Sequence, residues 1–200
     1  MNIAHFFTFI RLLIIPLFPI FYLQYEKMGI SPLWVPYILL FILLLCESTD
    51  LLDGYFARRK NQVTDIGKII DPMSDSITRM LVFFTFTQGW VQVPLILVFV
   101  FLYREFLISS LRTICALKGF ALGARKSGKI KAIIQAAVNI FVVILLIPFT
   151  LGYLPLSWLQ NMSFYAVLFA AIYSVISAVD YVISNKEYVR RIFVTTKEQA

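Results

Sequence analysis

Histidine is almost missing from this chain: His5 is the only one in 200 residues. A histidine-built metal site and a Ser–His–Asp triad both have too few parts here. Cysteine is scarce as well. Cys46 and Cys115 fall in apolar stretches and read as small buried hydrophobes, not as a disulfide or a metal pair. Charge is the third shortage. Only 14% of residues are charged, against about 25% in a soluble domain. With a mean hydropathy of +0.83, the chain reads as an integral membrane protein, one domain over residues 1–200. There is no internal repeat and no low-complexity segment. The first apolar run has no basic segment before it, carries Arg11, and ends at Gln24 without a small-residue cleavage site. It reads as a span, not a cleavable leader. The net charge of +7 does not mark a nucleic-acid binder, because the basic residues are spread over short links and form no face interleaved with aromatics.

What the chain does have is six apolar runs, at about 6–24, 33–57, 71–88, 93–115, 131–151 and 161–183. Pro16 and Pro19 predict a kink or break in the first. The links at 25–32, 89–92 and 152–160 hold one basic residue between them, Lys27. The link at 58–70 holds Arg58, Arg59, Lys60 and Lys68. The next basic link holds Lys118, Arg125, Lys126, Lys129 and Lys131, and the tail adds Lys186, Arg190, Arg191 and Lys197. By the positive-inside rule this alternation predicts six spans, both termini cytoplasmic, and every basic cluster on the cytoplasmic side of the cell membrane. Trp34, Trp90 and Trp158 lie in or beside the three other links and read as interfacial belt residues.

One polar island stands out. Five of the eleven acidic residues lie between positions 50 and 75. Asp50 and Asp53 are three apart and Asp71 and Asp75 four apart, so each pair shares one helical face. Two helices meeting through those faces would gather four carboxylates. Such a group needs cations or protons to offset its repulsion. An oxygen-only set suits Mg²⁺ or Mn²⁺, and a pair of such ions suits a phosphate substrate. Counted from Leu33, Asp50 lies roughly 26 Å along its helix, so the acidic pair approaches the interface of a hydrocarbon core about 30 Å thick. Asp71 precedes Pro72, which predicts a helix starting there. An aspartate at a helix start is ordinary, but Asp50 and Asp53 sit near a helix end, where the dipole disfavours anions. Ionisable groups in spans default to function.

Gly54 and Ala57 lay a small-residue face beside the acidic one, against which a nucleotide could rest, with Arg58 adjacent for a phosphate. A second group is cationic. Arg104 and Arg112 are eight apart, about two turns, and share a face. Lys129 and Lys131 open the fifth run on the same side, so the four together make a pocket for a small phosphorylated molecule. The plain alternatives are an Arg104–Glu105 or Glu105–Arg112 structural pair, and lysines that merely anchor the interface. Arg11 either snorkels from the first span or completes the pocket. Glu47, one turn before Asp50, has no account at this level.

Asp50-x2-Asp53-Gly54-x2-Ala57-Arg58-x8-Gly67-x3-Asp71-x3-Asp75 resembles the signature of the CDP-alcohol phosphotransferase family at all eight fixed positions and in the spacing. Asn2-Ile3, Thr8-x2-Arg11, Arg104-Glu105-Phe106 with Leu111-Arg112, and Gly128-Lys129-Ile130-Lys131 resemble the branch whose acceptor is sn-glycerol 3-phosphate. The resemblance therefore runs over most of the chain. It implies an all-α, six-transmembrane-helix enzyme, usually a homodimer, acting among membrane lipids on CDP-diacylglycerol. Asp50, Asp53, Asp71 and Asp75 would hold Mg²⁺ or Mn²⁺, two ions, and Asp75 would also serve as the base. Asp53, Gly54, Ala57, Arg58 and Gly67 would line the CDP site. Arg104, Arg112, Lys129, Lys131 and Arg11 would hold the acceptor phosphate. One departure is visible: the residue after the last aspartate is often Lys in that branch and is Ser76 here. Rival readings are the same chemistry with another acceptor (phosphatidylglycerol, giving cardiolipin, or an inositol phosphate), and a divalent cation transporter. The transporter reading lacks a matching pair of broken helices near the midplane.

Overall fold

A computed structural model describes the backbone of residues 3–59, 67–117 and 125–186, and the side chains of 8–49, 73–115 and 125–186. The described residues form seven helices and no strand: α1 (Ile3–Ile14), α2 (Leu17–Gln24), α3 (Val35–Arg59), α4 (Gly67–Thr85), α5 (Leu95–Leu117), α6 (Lys126–Thr150) and α7 (Leu156–Ser184).

The first apolar run is broken where its prolines predict. Ile15 N–H still reaches the Arg11 carbonyl at 3.0 Å, but Pro16 has no N–H to continue the ladder and its ring crowds the preceding turn. Pro16 instead precedes α2 with φ −60°, and Pro19 falls in the first turn of α2, where a missing N–H is tolerated.

Four helices start earlier than their sequence patterns suggest, α1 at Ile3 and α6 at Lys126 among them. α4 begins at Gly67, not Asp71. Pro72 removes one hydrogen bond a turn and a half in, and so near the end of a helix that loss does not stop it. Asp71 and Asp75 therefore lie in the second and third turns. α7 begins at Leu156, directly after Pro155, whose extended ψ of 149° leads the chain into the helix. The polar residues that read as a turn at 152–160 are thus largely its first turns, held inward by the fully buried Leu159.

Successive helices run up and down, so the links at 25–34, 86–94 and 151–155 share one end of the bundle. That end is tied by Tyr22, whose hydroxyl accepts from the N–H groups of Trp90 and Val91, both at 3.0 Å, and donates to the Gln88 carbonyl at 3.3 Å. Gly89 completes this turn at φ +68°, and a Cβ there would stand 2.8 Å from the Tyr22 ring. Trp90 packs on Tyr22, Tyr25 and Phe149, with ring centroids 5.7, 5.0 and 5.7 Å away. It is half-buried against the core, in contrast to the exposed Trp34 and Trp158. The wall behind it is apolar, with Phe18, Phe83, Phe86, Phe101, Val142 and Leu146 fully enclosed.

The distribution of polarity is inverted relative to a water-soluble bundle. Large apolar side chains such as Leu13, Phe41, Ile96 and Ile133 point outward, while Thr8, Arg11, Arg104, Lys131, Gln135 and Asn139 are buried. α6 and α7 are long and apolar enough to cross a bilayer. α1 packs on α3 and α4, α6 on α3 and α4, and α7 on α5 and α6.

Candidate active site

The opposite end of the bundle collects the charge. Asp50, Asp53, Gly54, Ala57 and Arg58 ride on the last turns of α3, and Gly67 and Asp71 on the first turns of α4. Their side chains lie outside the described residues. Of the four motif aspartates, Asp75 is the one whose side chain is described.

Asp75 accepts from the Arg11 guanidinium as an ion pair between α4 and α1. Arg11 is 3% exposed and Asp75 27%, so the carboxylate faces the opening and the guanidinium lies behind it. Thr8, one turn before Arg11 and fully buried, belongs to the same inward face. A narrow polar cleft is lined by Arg11, Cys46, Glu47, Asp75, Thr78 and Arg79. It brings the α3 face that bears Glu47 to the α4 face that bears Asp75. Both supply carboxylate oxygens, and Thr78 a hydroxyl. Carboxylate and hydroxyl oxygens suit a hard divalent cation better than a soft one, but the same cleft also holds the Cys46 thiol and the guanidinium groups of Arg11 and Arg79.

The second group centres on Glu105 of α5. Its Oε1 accepts from Lys131 Nζ of α6 and from Arg104 Nη1 at 3.3 Å, and its Oε2 accepts from Ser76 Oγ of α4 at 3.2 Å. Arg104 also donates through Nη2 to Ser177 of α7 at 3.0 Å. Arg79 lies within electrostatic reach of Arg104, Glu105 and Lys131. Arg79 Nε and Arg104 Nε are buried without a hydrogen-bond partner. Gly128 of α6 lies beside this group, a Cβ there standing in ordinary contact, 3.7 Å, with Arg104 Nη2.

The remaining basic residues are placed differently. Arg112 donates from Nε to the Tyr181 hydroxyl at 3.2 Å, and its guanidinium carbon lies 5.3 Å from the centroid of that ring. Lys129 is exposed. Arg11 faces Asp75 and not the Glu105 group. Asp180 of α7 accepts from Ser127 at 2.6 Å and pairs with Arg125 at 3.2 Å, tying the start of α6 to the end of α7.

Arg79, Glu47 and Asp180 are absent from the residues that sequence reasoning assigns to a site. Arg79 did leave a signal: it is the sole charge between Asp75 and Arg104, and it lies one turn after Asp75 on the same face. Asp180 is likewise the single charge in α7.

An all-helical bundle with carboxylates and buried guanidinium groups gathered at one end of an apolar exterior has the plan of a membrane-associated phosphate-handling enzyme. The profile of the family described as CDP-alcohol phosphatidyltransferase matches residues 1–183, and the chain belongs to that family. Over 197 residues it is 28% identical to the CDP-diacylglycerol–glycerol-3-phosphate 3-phosphatidyltransferase of Bacillus subtilis (strain 168), covering 93% of this chain and 96% of that protein. It is 28% identical over 170 residues to the protein of the same name from Treponema pallidum (strain Nichols), covering 81% and 77%. The one from Salmonella paratyphi A is 33% identical over 145 residues, covering 67% and 72%.

Proposed function

We propose that the chain transfers the phosphatidyl group from CDP-diacylglycerol to sn-glycerol 3-phosphate, giving phosphatidylglycerophosphate and CMP. The observation that carries the acceptor is the buried cationic group. Arg104 and Lys131 share the one carboxylate of Glu105, and the buried Nε–H donors of Arg79 and Arg104 point to no protein acceptor. A phosphate monoester supplies the missing acceptors and the missing charge. The names borne by the relatives agree with this acceptor.

Asp75 stands on the acceptor side of the site and takes the proton of the attacking hydroxyl. That oxygen bonds to the phosphorus nearest the diacylglycerol, and the bond from this phosphorus to the CMP oxygen breaks. Asp50, Asp53, Asp71 and Asp75 would hold Mg²⁺ or Mn²⁺, two ions, with Glu47 at hand. When bound, they offset charge on the pyrophosphate and on the departing CMP. Gly54 and Ala57 leave room for the nucleotide, with Asp53, Arg58 and Gly67 around it. Arg112 and Lys129 extend the cationic field toward the entrance.

The chain forms one membrane-embedded domain of six spans, α1 and α2 making up the first. Its termini and its site lie on the cytoplasmic side, and it works as a homodimer. This placement lets the acyl tails stay in lipid while the nucleotide and the acceptor come from water. The test is CMP release by purified protein given CDP-diacylglycerol with sn-glycerol 3-phosphate, phosphatidylglycerol or inositol phosphate in separate reactions. Release with sn-glycerol 3-phosphate alone is expected; release with another acceptor alone overturns the reading.

A further inference from the structure

We propose that Glu105 is a positioning residue for the acceptor, the anion that holds Lys131 and Arg104 where a phosphate can take their remaining N–H groups. The inference rests on the acceptor reading above. Glu105 touches no reacting atom in it and acts through its neighbours.

The argument begins with burial. Lys131 is 3% exposed and Arg104 8% at the side chain, while Glu105 is 20% exposed. A buried ammonium without a counter-charge loses its proton or turns away toward water. Glu105 supplies that counter-charge to Lys131. Its carboxylate also joins three helices, through Ser76 on α4, Arg104 on α5 and Lys131 on α6. Removing it would free the cations of α5 and α6, and the Ser76 hydroxyl of α4, from a common origin.

The donor count shows that Glu105 does not consume the pocket. An ammonium carries three N–H donors and a guanidinium five. Arg104 gives one to Glu105 and one to Ser177, and its Nε–H has no partner. The Nε–H of Arg79 has none either. Arg104 and Lys131 share the one carboxylate of Glu105, so the resting pocket is arranged without being neutralised. Ser76 belongs to this arrangement: a hydroxyl at that position donates to Oε2, where a lysine would add a further cation beside the carboxylate.

A merely structural ion pair would stabilise the bundle and affect both substrates alike. A positioning role affects the acceptor selectively. The experiment measures CMP release for the full chain in detergent or liposomes, varying each substrate at saturation of the other. The proteins are wild type, Glu105→Gln, Glu105→Asp, Lys131→Met and the Glu105→Gln/Lys131→Met double variant. Glu105→Gln is expected to raise KM for sn-glycerol 3-phosphate about tenfold or more, with KM for CDP-diacylglycerol within about twofold. Glu105→Asp recovers part of the loss. The double variant loses less than the product of the two single losses, because Glu105 acts in part through that lysine and in part through Arg104.

An unchanged acceptor KM in Glu105→Gln overturns the proposal. So does an equal rise in both KM values accompanied by a lower Tm. If Glu105→Gln does not fold, the same comparison is read from Glu105→Asp and from the thermal shift that sn-glycerol 3-phosphate gives each variant. A wild type that releases no CMP with sn-glycerol 3-phosphate but does so with another acceptor overturns the functional reading, and this inference with it. A failure confined to the variants overturns the inference alone.

Discussion

Arg11 of α1 and Asp75 of α4 form an ion pair across 64 positions of sequence, with the guanidinium buried behind the carboxylate. The pair fixes the last motif aspartate from the side opposite its opening. It also ties the broken first apolar run to the helix that carries two of the four motif aspartates.

Asp75→Asn is therefore expected to abolish transfer, by about a hundredfold or more for loss of a general base. Nucleotide binding should survive in part. CMP release and CDP binding, measured on the same preparation, check this; a variant retaining most of its activity would remove Asp75 from the role of base.

Arg11→Leu should lower kcat by about tenfold or more, since Asp75 loses the group that orients it. Arg11→Lys should restore part of the activity, because an ammonium keeps the charge but not the planar fork. Steady-state kinetics on the two variants read this out. Equal activities in both would contradict an orienting role.

At the far end, Tyr22→Phe leaves the N–H groups of Trp90 and Val91 without their acceptor. A loss of about 1–3 kcal/mol is expected, seen as a lower Tm in detergent with both KM values unchanged. Gly89→Ala should act in the same direction, because φ +68° and a 2.8 Å approach to Tyr22 both oppose a Cβ.

Asp180→Asn provides a contrast. The Arg125–Asp180 pair is more than a third exposed on both sides, so its removal should change stability by less than about 1 kcal/mol. Thermal unfolding of this variant beside Tyr22→Phe checks that the bundle is held from the aromatic end. A larger loss for Asp180→Asn would reverse that view.

Chelation should stop CMP release, and added Mg²⁺ or Mn²⁺ should restore it. Full activity after exhaustive chelation would exclude a metal from the reaction.

Much of this was legible along the chain because it is local. The spacing of Asp50, Asp53, Gly54, Ala57, Arg58, Gly67, Asp71 and Asp75 carries the family whatever the tertiary structure. The break at Pro16 follows from one missing N–H and a fixed ring. What escaped depends on what lies across the bundle. Ser76 looked like a departure until its hydroxyl was found on Glu105. Arg11, assigned with the acceptor cations, faces Asp75, because α1 packs on α4. Glu47 acquires a place only when α3 and α4 line one cleft. Arg79 interrupts a long uncharged stretch but belongs to no motif, so only its place beside Asp75 marks it. Helix starts misled for a similar reason: Pro72 looks like a first-turn residue, and α4 begins before it.

The most direct test follows label from sn-glycerol 3-phosphate. Purified protein in liposomes containing CDP-diacylglycerol is given labelled sn-glycerol 3-phosphate and a divalent metal, and lipid-bound label and CMP are both counted. The account predicts that the two appear in equal amounts, with the label in phosphatidylglycerophosphate. CMP formed without label entering lipid, or no CMP formed at all, would contradict it.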